Sequence, residues 1–115
     1  MGSETAEIVC VVSTDPSLRR SLARWVLERS NQVASVKEAD SLSSLPDGAI
    51  VLATATDCPP ASSRRIVDAG GHVIVVAAYP SDSARADYEA AGAIYLAMSS
   101  DTGPLEDALN AAVRS

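Results

Sequence analysis

Positive charge is what this sequence lacks most. Its 115 residues carry 15 acidic against 9 basic side chains, a formal net charge of −6, with a single lysine, Lys37, and a single histidine, His72. A duplex-binding surface needs lysine and arginine to displace counterions, and anionic headgroups attract the same residues, so neither nucleic acid nor a membrane surface is an expected partner. No apolar run approaches the ~20 residues that span a bilayer. The N-terminus also lacks the basic stretch and apolar core of a secretion signal, so a cytoplasmic location is the expectation. Only two cysteines are present, Cys10 and Cys58, far apart and without Cys-x-x-Cys spacing, which argues against a redox motif or a zinc site. No glycine-rich loop follows the first strand-like run, so a dinucleotide or P-loop site has no support. No metal and no cofactor are expected.

What is present is patterned apolar content. With 47% hydrophobic and 21% charged residues, the chain reads as one globular domain over residues 7–115, preceded by a flexible N-terminus or cloning remnant at 1–6. Glu7 to Ser13 (EIVCVVS) is a short β-branched run, the signature of a strand buried on both faces. It ends at Thr14-Asp15-Pro16, where Asp15 can cap a helix and Pro16 suits its first position. Leu18, Leu22, Trp25 and Val26 then form one helical stripe, with Arg19, Arg20, Arg24 and Glu28 on the other side. Gln32 to Val36 reads as a short strand toward a sheet edge, and Asp40 to Leu45 as one or two helical turns before a turn at Pro46-Asp47-Gly48. Ala49 to Ala53, His72 to Ala78 and Ala93 to Met98 are further strands. Helices are expected over Ala61 to Ala69, Ser83 to Ala91 and Leu105 to Val113.

Five strand-helix repeats select an α/β fold with a parallel sheet covered on both faces. At this length the expected architecture is a flavodoxin-like (βα)5 three-layer sandwich with strand order 2-1-3-4-5. Its ligand crevice lies at the carboxyl ends of the strands. That places Ser13, Thr14 and Asp15, the segment Thr54 to Pro60, Ala77 to Tyr79, and Met98 to Ser100 around one site.

Three stretches in order, VVSTDPSLRRSL, HVIVVAA and AAGAIYLAMSSDTGPLEDALNAAV, resemble the receiver domains of two-component response regulators over nearly the whole chain. The resemblance implies Mg²⁺ on an acidic pair after the first strand, a phospho-accepting aspartate ending the third, a hydroxyl after the fourth and a lysine after the fifth. Those positions fall here on Ser13, Thr14, Thr54, Ala77 and Met98. None matches the family pattern. Mg²⁺ wants carboxylate oxygens, and a transferring phosphoryl group needs cationic stabilisation; hydroxyls and a thioether supply neither. The resemblance therefore implies a degenerate, phosphorylation-independent receiver, not an enzyme and without catalytic residues. Such a module acts through protein contacts.

Two acids stand near the degenerate site. Asp15 reads as the N-cap of the first helix. Asp57 would become a phospho-acceptor only if the third strand ran longer; its other reading is a loop acid capping the following turn. Cys10 reads as a small buried hydrophobe, His72 as a turn residue at the far sheet end, and Cys58 as a loop thiol near the crevice without a neighbouring base. Tyr95 matches the family's aromatic that swings between outward and inward rotamers on phosphorylation. The resemblance also implies that the fourth helix, fifth strand and fifth helix, Ser83 to Arg114, form a face for a protein partner or self-association, with Arg85, Tyr95, Leu105 and Leu109 as contact residues. A second reading is a small ligand-binding or enzymatic flavodoxin-like domain using the hydroxyl-lined crevice. A crevice with neither base nor metal ligand is poor catalytic equipment.

Overall fold

A computed structural model describes residues 7–29, 33–42, 45, 48–99 and 101–114; the expected N-terminal extension at 1–6 lies outside them. Five parallel strands, β1 (Glu7–Val12), β2 (Val33–Ala39), β3 (Ile50–Thr54), β4 (His72–Ala77) and β5 (Ile94–Ala97), form one sheet in the order β2-β1-β3-β4-β5. The α-helices are α1 (Pro16–Arg29), α2 (Pro60–Asp68), α3 (Asp82–Ala90) and α4 (Gly103–Arg114), with a 3₁₀ turn over Ala55–Asp57. The flavodoxin-like architecture expected from the strand-helix alternation is the one observed. No helix among the described residues is long and apolar enough to cross a membrane.

The period-2 alternation of the central strands feeds two cores. Val9 and Val11, Ile50 and Leu52, and Ile74 and Val76 face α1 and α4, meeting Val26, Leu109 and Ala112. Val12, Val51, Ala53, Val73, Val75 and Ala77 face the other way, onto Cys58, Tyr88 and Tyr95. A strand covered on both sides has no polar positions to spare, which explains the continuous apolar runs. Turns hold the register of the layers. After α2, Ala69 and Gly70 close the helix with N–H bonds to Ile66 and Val67 carbonyls, and Gly70 takes φ +92°, a conformation that suits glycine.

Two local expectations are corrected. Strand β2 runs to Ala39 rather than ending at Val36, because it pairs in parallel with β1 as far as Val12↔Ala39. Backbone pairing overrides the polar composition of Lys37 and Glu38, whose exposed side chains suit an edge strand. No helix is found among the described residues between β2 and β3; Leu42 and Leu45 instead pack as single apolar contacts on the second core. A six-residue segment bearing three serines and followed by Pro46 cannot offset the cost of helix nucleation. The expected turn at Pro46-Asp47 lies outside the described residues. The sequence's fourth and fifth helices are therefore α3 and α4.

Candidate functional site

The parallel strands end together, and between their carboxyl ends lies a cleft of about 550 Å³ bordered by Ser13, Thr14, Thr54, Asp57, Ala77 and Met98, among others. The five positions onto which the resemblance places the receiver site, Ser13, Thr14, Thr54, Ala77 and Met98, all border it. Each is explained by the residue's own environment. Ser13 is 1% exposed; its hydroxyl accepts from the Asp15 amide (3.1 Å), and its carbonyl accepts from Arg19 Nη1 (2.9 Å). Thr54 is 8% exposed at the end of β3. Ala77 is buried in the floor, and the Met98 amide donates to its carbonyl (2.8 Å), which sets the exposed Met98 side chain on the rim.

Asp15 is the N-cap of α1: its Oδ1 accepts from the amides of Ser17 (3.0 Å) and Leu18 (3.2 Å). Asp57 departs from both readings made of it. Strand β3 stops at Thr54, so Asp57 does not end it. Nor does its carboxylate bond to the turn that follows. The 3₁₀ turn folds it back over the strand end, where Oδ2 accepts from Thr54 Oγ1 (2.5 Å) and from the Thr14 amide (3.2 Å). The carboxylate thus ties the loop after β3 to the loop after β1.

Among the described residues there is no group of three or more His, Cys, Asp or Glu placed to hold a metal ion. No lysine or arginine borders the cleft among those residues, and Lys37 pairs with Cys10 in the middle of β2. His72 stands at the first position of β4, at the opposite sheet end. Cys58, read as a loop thiol near the crevice, is fully buried. Burial pushes its thiol up, only partly countered by Ser63 Oγ at 3.4 Å. Cys10 is 1% exposed, as a core hydrophobe should be, and desolvation raises its thiol too.

Two expected contact residues are corrected. Leu109 is 1% exposed and belongs to the core under α4, and Tyr95 is 3% exposed; neither side chain is available to a partner. Leu105 is half-buried against the same core as Leu109. Tyr95 points inward: its hydroxyl accepts from the Ser81 amide (3.3 Å), and its ring lies 5.2 Å from that of Tyr88, with the planes at 21°. Arg85, also half-buried, donates to the Tyr95 carbonyl (3.0 Å) and stands 5.3 Å from the ring centroid. Among the described residues from Ser83 to Arg114, the exposed large apolar side chains are instead Ile94 and Met98.

Sequence reasoning missed two participants. Arg19 was read with the solvent-facing flank of the first helix, yet it reaches the Ser13 carbonyl and pairs with Glu38 Oε1 (3.4 Å). Tyr88 gave no signal beyond being the only aromatic in its helix. It is 4% exposed, and its hydroxyl is within bonding distance of the carbonyls of Ala55 (2.9 Å) and Cys58 (2.8 Å). Burial raises its phenol, which keeps the proton for donation.

Solved structures match this arrangement of strands and helices. A response regulator from Thermotoga maritima superimposes with a TM-score of 0.76 at 16% identity, over 96% of this chain and all of that one. The chain has the receiver fold. A LuxR-family two-component response regulator from Aurantimonas sp. SI85-9A1 gives a TM-score of 0.75 at 22% identity, covering 96% of this chain and 86% of that one. The same fold occurs in a protein described as pilus assembly-related from Burkholderia pseudomallei K96243, with a TM-score of 0.69 at 18% identity over 94% and 90% of the two chains. No protein-family model matches the sequence, and no curated protein matches it. At these identities the likeness carries the fold, and function rests on the site.

Proposed function

We propose that this receiver-fold domain is a signalling module that works without phosphorylation, through constitutive protein contacts and without enzymatic activity. The observation that carries the reading is the state of Asp57. Of the two carboxylates bordering the cleft, the one that follows β3 takes bonds on Oδ2 from Thr54 Oγ1 and the Thr14 amide, and among the described residues neither a metal-binding group of acids nor a lysine or arginine borders that cleft. Acyl phosphate formation needs a carboxylate oxygen that attacks phosphorus together with charge compensation for the transferring group, and the described residues bordering the cleft supply no cationic side chain for it. The inward Tyr95, held without a hydroxyl at position 77, supports a module that keeps one conformation. A cytosolic setting fits this reading, as does a face built from α3, β5 and α4 with Ile94 as an exposed apolar residue. The match to a pilus assembly-related protein supports roles for the fold beyond phosphorelay regulators.

Intact-mass measurement after incubation with acetyl phosphate and Mg²⁺ tests it. No addition is expected. A stoichiometric phosphoryl group on Asp57 or Asp15 overturns the reading. The cleft's size and largely apolar walls favour a second reading, a small-ligand site. It is separated by Thr54→Ala, which on the contact reading leaves partner binding intact.

A further inference from the structure

Tyr95 sits in a core with no hydroxyl at position 77 to hold it, so something else keeps it inward. Helix α3 presents Arg85 and Tyr88 three residues apart, the spacing that puts two side chains on one helix face. Both meet Tyr95: Arg85 through its guanidinium at 5.3 Å from the ring and its bond to the carbonyl, Tyr88 by the stacked ring at 5.2 Å. Of the two, only Tyr88 reaches further. Its phenol points past the cleft into the 3₁₀ turn, between the carbonyls of Ala55 and Cys58. The turn is held on its other flank by the Asp57 carboxylate on Thr14 and Thr54.

We propose that Tyr88 is a positioning residue that fixes Tyr95 inward and fastens it to the turn after β3, a permanent lock where the receiver site would otherwise require a triggered switch. The carboxylate end of the cleft and the β5 end thereby become one rigid unit. The chain runs from Thr14 through Asp57 and the 55–58 turn to the Tyr88 hydroxyl, then through the stacked rings to Tyr95 and the Ser81 amide. Two parts of Tyr88 do different work. The ring covers Tyr95; the hydroxyl anchors the turn. An aromatic pair in offset contact resists separation beyond its burial alone, and the single hydroxyl proton, within reach of two backbone carbonyls of the turn, is a hydrogen bond the turn loses when it is removed.

The proposal deepens the phosphorylation-independent reading and rests on it only for its meaning. Acetyl phosphate labelling tests that reading, whereas the lock is read from tyrosine accessibility and from amide exchange in the 55–58 turn. The chain contains three tyrosines, and Tyr79 is 94% exposed, against 4% for Tyr88 and 3% for Tyr95. Nitration by tetranitromethane, quantified per site by peptide mass spectrometry, therefore carries its own reference. In the native protein Tyr79 should react, with Tyr95 slower by roughly tenfold or more, since a buried ring reacts only through local opening. Tyr88→Leu should bring the Tyr95 rate close to that of Tyr79 at a temperature where circular dichroism shows the fold intact. Tyr88→Phe keeps the ring, so Tyr95 should stay protected while amide exchange in the 55–58 turn accelerates. Leu109→Ala, which opens the core on the opposite sheet face, should lower the melting temperature and leave Tyr95 protected. The lock is overturned if Tyr95 reacts like Tyr79 in the native protein, or if folded Tyr88→Leu still protects it. It is equally overturned if Tyr88→Phe leaves the turn's exchange unchanged, or if Leu109→Ala exposes Tyr95 as much as Tyr88→Leu does.

Discussion

Removing the Asp57 carboxylate distinguishes a clasp from an acceptor by the sign of the effect. In a crowded receiver site, like charges repel, and deleting one acid relieves the repulsion and stabilises the fold. Here Asp57 Oδ2 takes two hydrogen bonds, from Thr54 Oγ1 and the Thr14 amide, and among the described residues no metal-binding group of three acids surrounds it. Hydrogen bonds to a charged acceptor contribute about 1.5–3 kcal/mol each when buried. Thr14 is exposed and Asp57 only half-buried, so solvent takes over part of the loss and the net cost of Asp57→Ala is ~1–2 kcal/mol. At roughly 2.1 cal/mol/K per residue, a domain of this length unfolds with about 0.24 kcal/mol/K, which converts the loss into a fall of ~4–8 °C in melting temperature. Asp57→Asn retains a carbonyl acceptor and should fall by about half as much. Thermal melts followed by circular dichroism at neutral pH, with and without millimolar Mg²⁺ at matched ionic strength, give the answer. A melting temperature that rises in Asp57→Ala refutes the clasp. So does a native protein stabilised several degrees by Mg²⁺, if the variant loses that response.

Other outcomes follow from the same geometry. Leu109→Ala should destabilise by ~3 kcal/mol, the range for emptying a fully buried leucine site, with the denaturation midpoint as the measure. Its effect on association should only follow from that instability, because the side chain faces the core. Ile94→Asp, by contrast, should leave the melting temperature nearly unchanged and weaken self-association or partner binding in analytical ultracentrifugation, since Ile94 is 39% exposed on edge strand β5. Cys10 and Cys58 should resist iodoacetamide in the native protein at mildly alkaline pH and react once unfolded. Burial raises both thiols from their ordinary value of 9.0 and the Tyr88 phenol from 10.0. In these groups the unfolded chain releases protons first, so their contribution to stability is complete below pH 9.0 and declines as pH rises beyond it. Urea midpoints that stay level well above that pH would contradict the shifts.

Periodicity and punctuation in the sequence were enough to determine the sheet. The apolar runs at Ile8–Val12, Ile50–Ala53 and Val73–Ala77 demand burial on both faces, and only parallel strands covered by helices provide it. Asp15-Pro16 marked the start of α1 because a cap and a fixed φ act within a few residues of their own position. The residue types at the strand ends were legible too, since they are read directly once strand order is known. What the sequence alone could not decide was which distant groups meet. Asp57 finds Thr14 across 43 positions and Tyr88 finds Ala55 across 33, separations over which no local pattern carries information. The inward burial of Tyr95 and Leu109 was likewise settled by packing: strand and helix positions that look available from the family's output face turn inside when Tyr88 and the core of α1 and α4 complete their surroundings. Local propensity acts through a residue's own backbone and its neighbours a turn away; the clasp at Asp57 and the stack on Tyr95 exist only because the sheet brings its carboxyl ends together.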